Sequence, residues 1–223
     1  MADVNQCYLF LQFLARKNQT TSISPNEFQY AFNTGQRQYM DFLIGSVEQF
    51  QYGNAAPRVG LGQSSKISRE LAPFKVDSLS ITVTGQLATY PTDFQFLAVM
   101  KDTLGRKIER IDDAKLPSRL TSAIDTATDS TKSFYVESSL GWTIYPNTVS
   151  TVVVNYYKAA PDVVWGFTTV GGRAVYNAGT SVQPLWDNNS LDDILGRAAR
   201  ILGISFSSPT LTNYGDSVIN RGE

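Results

Sequence analysis

Histidine is absent from this chain of 223 residues. That removes the commonest general base, the commonest metal ligand and every catalytic triad built on imidazole. The single cysteine, Cys7, excludes an intrachain disulfide and has no histidine to activate it, so it reads as a packing thiol on a predicted helix. Charge is scarce. Charged residues make up 17% of the chain and the net charge is −1, so no global field draws it to nucleic acid or to an anionic membrane. The densest basic stretch, residues 101–119, is interleaved with Asp102, Glu109, Asp112 and Asp113 and nearly cancels. No apolar run approaches the roughly 18 residues that a membrane-spanning helix needs. The short run over 8–11 follows Asp3 rather than a basic region, so no secretory signal is read and an intracellular site of folding fits.

What is present is enough apolar material, 42% of residues, to bury a substantial core in one large domain or two small ones. The clearest element is a helix from 24 to about 50. Ser24 is a favoured N-cap, Pro25 occupies the first helical position, and Glu27 can close a capping box with Ser24. Ile23 and Phe28 fall at the two positions of a hydrophobic staple. Phe28, Phe32, Tyr39, Leu43 and Phe50 return to one face. Such a helix spans about 39 Å at 1.5 Å per residue.

Before it, Val4, Cys7, Tyr8, Leu11, Leu14 and Ala15 mark a helical stripe, while Leu9, Phe10 and Phe13 fall off it. A helix apolar over that much of its surface is expected to be covered on two sides, by its own domain and by a neighbouring chain. The polar turn over 19–22 joins the two helices into a hairpin. Residues 53–65 read as a loop, after which periodicity turns to alternation. Strands are predicted over 79–84, 94–100, 107–111, 133–137, 142–145, 148–157, 163–170 and 173–176, the last two flanking the hairpin signal Gly171-Gly172. The spacing favours an antiparallel sheet or sandwich. The stretch 116–124 fits either a short helix or an irregular crossing.

A further helix follows Trp186. Ser190 is its expected cap, Asp192 and Asp193 lie in its first turn, and Gly203 is the expected stop. Beyond it, residues 204–223 show no sustained period and read as an extended tail. The predicted fold is therefore α+β: a helical hairpin over 1–52, an antiparallel β-rich core over 53–186, a helix over 187–203 and the tail, together one structural unit.

No catalytic constellation emerges. The segment Gly60-Leu61-Gly62-Gln63-Ser64-Ser65-Lys66 lacks the phosphate-loop order and follows a loop rather than a strand, so it reads as a connector. Asp125 and Asp129 lack the glycine and terminal glutamate of a calcium loop. The pair Asp112-Asp113 reads as a turn, and Asp192-Asp193 as helix-start chemistry. Trp142, Tyr145, Tyr156, Tyr157, Trp165, Phe167 and Trp186 could form a stacking platform for sugars, or serve as core and interface anchors. A carboxylate pair of the glycosidase kind is not singled out by any spacing. Neither a cofactor nor a metal is expected.

Phe13-Leu14-Ala15-Arg16-Lys17-Asn18-Gln19 is followed by Ser22-Ile23-Ser24-Pro25-Asn26-Glu27-Phe28. With these segments the chain resembles virion structural proteins of crAss-like and related short-tailed phages of Bacteroidetes. In those proteins a short helix ending in a Phe-Leu…Lys-x-Gln pattern leads to Ser-Pro-x-Glu-Phe and a long helix with an Ala-Gln-like step. Here that step is Gly35-Gln36, a departure from the family's choice. Further matches are Leu71-Ala72-Pro73-Phe74, Tyr90-Pro91-Thr92-Asp93-Phe94, Leu116-Pro117-Ser118-Arg119-Leu120, Ile144-Tyr145-Pro146, Leu191-Asp192-Asp193-Ile194 and Leu202-Gly203-Ile204.

The resemblance implies a non-enzymatic neck protein, a ring beneath the portal that connects capsid to tail and lines a channel for DNA. The family implies a homo-oligomer, a dodecamer, touching portal, ring or tail proteins. It also implies passage of DNA without sequence-specific binding, no membrane, and residence in the virion after assembly in the host cytoplasm. The expected contact residues are Phe10, Phe13, Tyr30, Arg197, Arg200, Ile204, Phe206, Leu211 and Tyr214. The alternative is a tail-fibre or adhesin-type module presenting the aromatics to a glycan. A carboxylate hydrolase ranks third.

Overall fold

The computed structural model describes residues 3–17, 22–49, 61–121, 132–205 and 209–219. It has an α+β fold, as expected, with helices at both ends of the chain and strands between them. The chain divides into two compact units: Met1–Pro73 joined by Ala160–Glu223, and Phe74–Ala159.

In the helical unit, α1 runs Val4–Lys17 and α2 runs Pro25–Gln49. The start of α2 is built as its sequence requires. Ser24 N–H donates to Glu27 Oε2 at 2.8 Å and Glu27 N–H donates to Ser24 Oγ at 3.3 Å, each side chain satisfying an orphan donor of the other. Ile23 and Phe28 are both buried, closing the staple. Phe28, Phe32, Tyr39 and Leu43 bury one face of α2, while Phe50 lies outside the described residues.

The polar face of α2 is not a solvent face. Gln29 Nε2 donates to the carbonyl of Trp165, Asn33 exchanges two bonds with the backbone of Val163, and Gln36 Nε2 donates to the carbonyl of Pro161. These amides, spaced four and three residues apart, satisfy an extended segment whose one ladder bridge among the described residues is Val164 to Val182. That bonding is why the boundary expected at 186 falls at Ala160, and why the segment after it belongs with the helices.

Four further expectations are corrected in this unit. Leu61–Leu71 forms a helix, α3, where a loop over 53–65 was read; residues 53–60 lie outside the described ones. Leu71 and Glu70 bury there, and the Glu70 carboxylate reaches the Tyr39 phenol, a tertiary anchor that local sequence does not display. Next, α5 spans Asn188–Ser205, so Gly203 lies inside it. Asp187, not Ser190, caps α5: its carboxylate accepts from Ser190 N–H at 2.8 Å and its carbonyl from Leu191 N–H. Ser190 itself is fully buried one turn into the helix. Finally, the expected extended tail contains α6, Pro209–Ile219, packed on α5. A helix of this length is marginal alone, so its formation rests on that packing.

The β unit carries β1 Lys75–Thr82, β2 Leu87–Thr89, β3 Phe94–Lys101, β4 Glu109–Arg110, β5 Phe134–Ser138, β6 Gly141–Tyr145 and β7 Thr151–Lys158. The stretch over 116–124 holds a short helix, α4, Leu116–Leu120. One sheet is ordered β1-β7-β3 and the other β2-β6-β5-β4. All their pairings are antiparallel except β4–β5, which is parallel and is joined through α4, the crossover that a parallel pair needs. Alternate residues of β7, Val152, Val154 and Tyr156, bury together with Trp142 and Ile144 of β6, so both sheets close on one core.

Within that core, the Trp142 indole meets Tyr90 and Phe94 edge to face at 4.6 and 5.0 Å. Tyr156 donates to Asp93 at 2.8 Å. The Asp102–Arg106 turn after β3 is held by one carboxylate that accepts from the N–H groups of Leu104 and Arg106 and pairs with the Arg106 guanidinium at 2.6 Å.

Candidate interaction surface

Two strands remain, β8 Phe167–Val170 and β9 Arg173–Tyr176, both in the helical unit. Among the described residues they pair only with each other, through the expected turn at Gly171 and Gly172, whose φ values of +57° and +78° suit glycine.

The helix α1 buries the predicted stripe: Val4, Cys7, Tyr8, Leu11 and Ala15 are inside. Burial pushes the Cys7 thiol up to about 11, with Asp3 adding to the effect, so it has no thiolate character at neutral pH. Across the same helix Leu9, Phe10 and Phe13 are 53%, 38% and 60% exposed. Residues 9, 10 and 13 are spaced as neighbours on one helical face. The structure therefore brings Phe10 and Phe13 together and adds Leu9, whose off-stripe position was the signal for it. Tyr30 is more exposed still, at 71%.

The two arginines among the expected contacts have partners within the subunit. The Arg197 guanidinium lies 5.8 Å over the Tyr39 ring and 5.3 Å over that of Phe42, bracing α5 against α2. Arg200 pairs with Asp216 of α6 at 2.9 Å. Tyr214 is half-buried on α6, while Phe206 and the side chains of Ile204 and Leu211 lie outside the described residues.

The helices that carry these groups approach to backbone contact. A Cβ on Gly35 would come within 3.0 Å of the Ile194 carbonyl oxygen, and one on Gly215 within 2.7 Å of the Gly196 carbonyl oxygen.

Acidic groups of the helical unit have partners within it. Glu70 is buried, accepts from the Tyr39 phenol at 3.0 Å, and lies 3.6 Å from the Lys66 ammonium. Burial raises the Tyr39 phenol well above its ordinary value. Burial likewise raises Asp193, against the pull of Lys66 and Arg197. At Asp187 burial pushes upward too, but the Ser190 N–H and the charges of Arg69 and Lys66 prevail and hold it low.

Among the described residues no group of three or more Cys, Asp or Glu side chains is placed to hold a metal ion. Asp125 and Asp129 lie outside them. Among the described residues no helix is long and apolar enough to cross a membrane.

The aromatics sort sharply. Trp142, Trp165 and Trp186 are at most 3% exposed, so none of the three indoles offers a face to a sugar. Tyr156 is buried, and Tyr145 and Tyr157 are half-buried. Phe167 alone of the seven is exposed, at 42%.

Compared with known proteins, the chain matches no family model, and no curated protein is significantly similar to it.

Proposed function

We propose that this chain is a virion structural protein that assembles with copies of itself into a ring in the neck between portal and tail. In that role it joins capsid to tail and lines the channel through which DNA is ejected. The observation that carries the reading is the two-sided apolar character of α1. One face is buried in the subunit, and Leu9, Phe10 and Phe13 stand exposed on the other. Exposed apolar patches of this kind mark protein contacts. The short patterns shared with phage neck proteins supply the setting and a dodecameric stoichiometry. A net charge of −1 suits a conduit that DNA slides through, since phosphate affinity comes from clustered Lys and Arg.

The test is the mass of the purified chain in solution, followed by imaging, alone and with portal and neck partners. Rings, or incorporation into a neck assembly, are the expected outcome. A protein that stays monomeric in every one of these mixtures overturns the reading.

A further inference from the structure

The β8–β9 hairpin has the makings of an arm. Seven of its eight strand residues are exposed, and its register runs without a bulge from Phe167 opposite Tyr176 to Val170 opposite Arg173. An isolated two-stranded hairpin is marginal in water, and an uncovered apolar ribbon invites a partner. The usual protections are missing here: the strands contain no Pro, no Lys and no bulge, and Arg173 is their one charge. Val170 and Val175 share a face with Arg173 and Thr168, the residues they pair with. They are 62% and 47% exposed.

The base of the arm, in contrast, is clamped. Trp165 packs against Phe167 and Tyr176 at 5.9 and 5.7 Å, and a Cβ on Gly166 would collide with Thr180. Three hydrogen bonds tie this base to the start of α1. The Tyr176 phenol donates to Asp3, the Trp165 indole donates to Asn5, and Val4 N–H donates to Gln183. The arm and the Leu9–Phe10–Phe13 face are thus two different patches of one unit, joined through the start of α1.

We infer that the arm of one subunit seats on the exposed α1 face of the next copy of the chain. The seat offers two partly exposed phenylalanines and a leucine, and the arm two valines about half exposed. Paired, they fit the apolar centre of an interface burying about 800 Å² per partner. A single arginine on the arm gives a polyanion too little to bind, which favours an apolar protein surface. Two unlike patches on one subunit make a head-to-tail contact, which closes into a ring when the rotation allows. The inference rests on the self-assembly reading and names its contact.

Two variants of the full-length chain test it, Val170→Asp with Val175→Asp in the arm and Phe10→Asp with Phe13→Asp in the seat. Each alone should be monomeric while keeping the wild-type circular dichroism. An equal mixture should give heterodimers and nothing larger, because one intact arm meets one intact seat. The milder pair Val170→Thr with Val175→Thr, which preserves strand propensity, should weaken assembly at least tenfold. Rings that form undiminished in either aspartate variant, or a mixture of folded variants that stays monomeric, overturn the inference and leave the ring reading standing. A wild-type chain that never assembles with its neck partners removes both.

Discussion

Asn33 and Val163, 130 residues apart in sequence, exchange two hydrogen bonds. The Asn33 amide donates to the Val163 carbonyl at 3.1 Å and accepts from the Val163 N–H at 2.8 Å. A side chain here does the work of a neighbouring strand, and Gln29 and Gln36 extend the pattern along α2. Val163 is buried, so no water replaces a lost partner.

Asn33→Leu should therefore destabilise the protein by about 2–4 kcal/mol, the cost of leaving a buried donor and a buried acceptor unpaired. Arg37 and Asp162 supply the contrast. Their ion pair joins the same two segments at 2.7 Å, but both side chains are more than half exposed. Arg37→Ala should leave the unfolding midpoint unchanged, as exposed pairs add little. Denaturant titration of the two variants separates a buried clamp from a surface contact.

The glycines of the helical unit divide the same way. Gly215 faces Gly196 and Arg200 across α5 and α6, where an added Cβ meets backbone atoms at 2.7 and 2.8 Å. Gly45, in α2, has nothing within 4 Å of its would-be Cβ. Gly215→Ala should cost about 1–3 kcal/mol by forcing the helices apart, and should make α6 the first site of limited proteolysis. Gly45→Ala should raise stability by about 0.5–1 kcal/mol through helix propensity alone.

Alkaline pH should attack the β unit. Burial holds the phenols of Tyr135 and Tyr156 up at about 12, with Glu137 adding to the first and the bond to Asp93 adding to the second. A phenol whose folded value lies above its unfolded one keeps its proton longer in the native state. Stability is then full below about pH 10 and falls as pH rises towards 12. Phenolate absorbance should show these two rings titrating late, together with unfolding. Tyr156→Phe should flatten that decline while costing about 0.5–1.5 kcal/mol at neutral pH for the lost hydrogen bond.

Legibility in the sequence follows the range of the interaction. The start of α2 and the Gly171-Gly172 turn were readable because every partner lies within a few residues. Most strands of the β unit were readable because alternation reports one buried face, as in β7, whereas the three-residue β2 is too short to show it. Exposure on α1 was readable too, since Leu9, Phe10 and Phe13 break a helical stripe already complete without them. What stayed hidden depends on partners far along the chain. Polar residues on one face of α2 look like a solvent face until the segment after Pro161 lies against them. Nothing local says that Gly215 will find Gly196, so α6 reads as a tail. The companions of Arg197 and Arg200 within the subunit, Phe42 and Asp216, lie on other helices and so were not legible either. Asp187 was overlooked as a cap because Ser190, three residues on, carries the same propensity.

The capping box of α2 gives the sharpest short-range test. Besides the two reciprocal bonds, the Ser24 hydroxyl lies 2.7 Å from Glu27 Oε2, so the two side chains also contact each other directly. Ser24→Ala should cost about 1 kcal/mol. Glu27→Ala should cost a similar amount, because the Ser24 N–H loses its acceptor. Removing both should cost less than the sum by about 0.5–1 kcal/mol, since each variant already breaks the bond they share. A double-mutant cycle on the unfolding free energy reads this coupling. A coupling of zero would mean that the two residues act on the helix start independently, and that the staple of Ile23 and Phe28 holds it without the reciprocal cap.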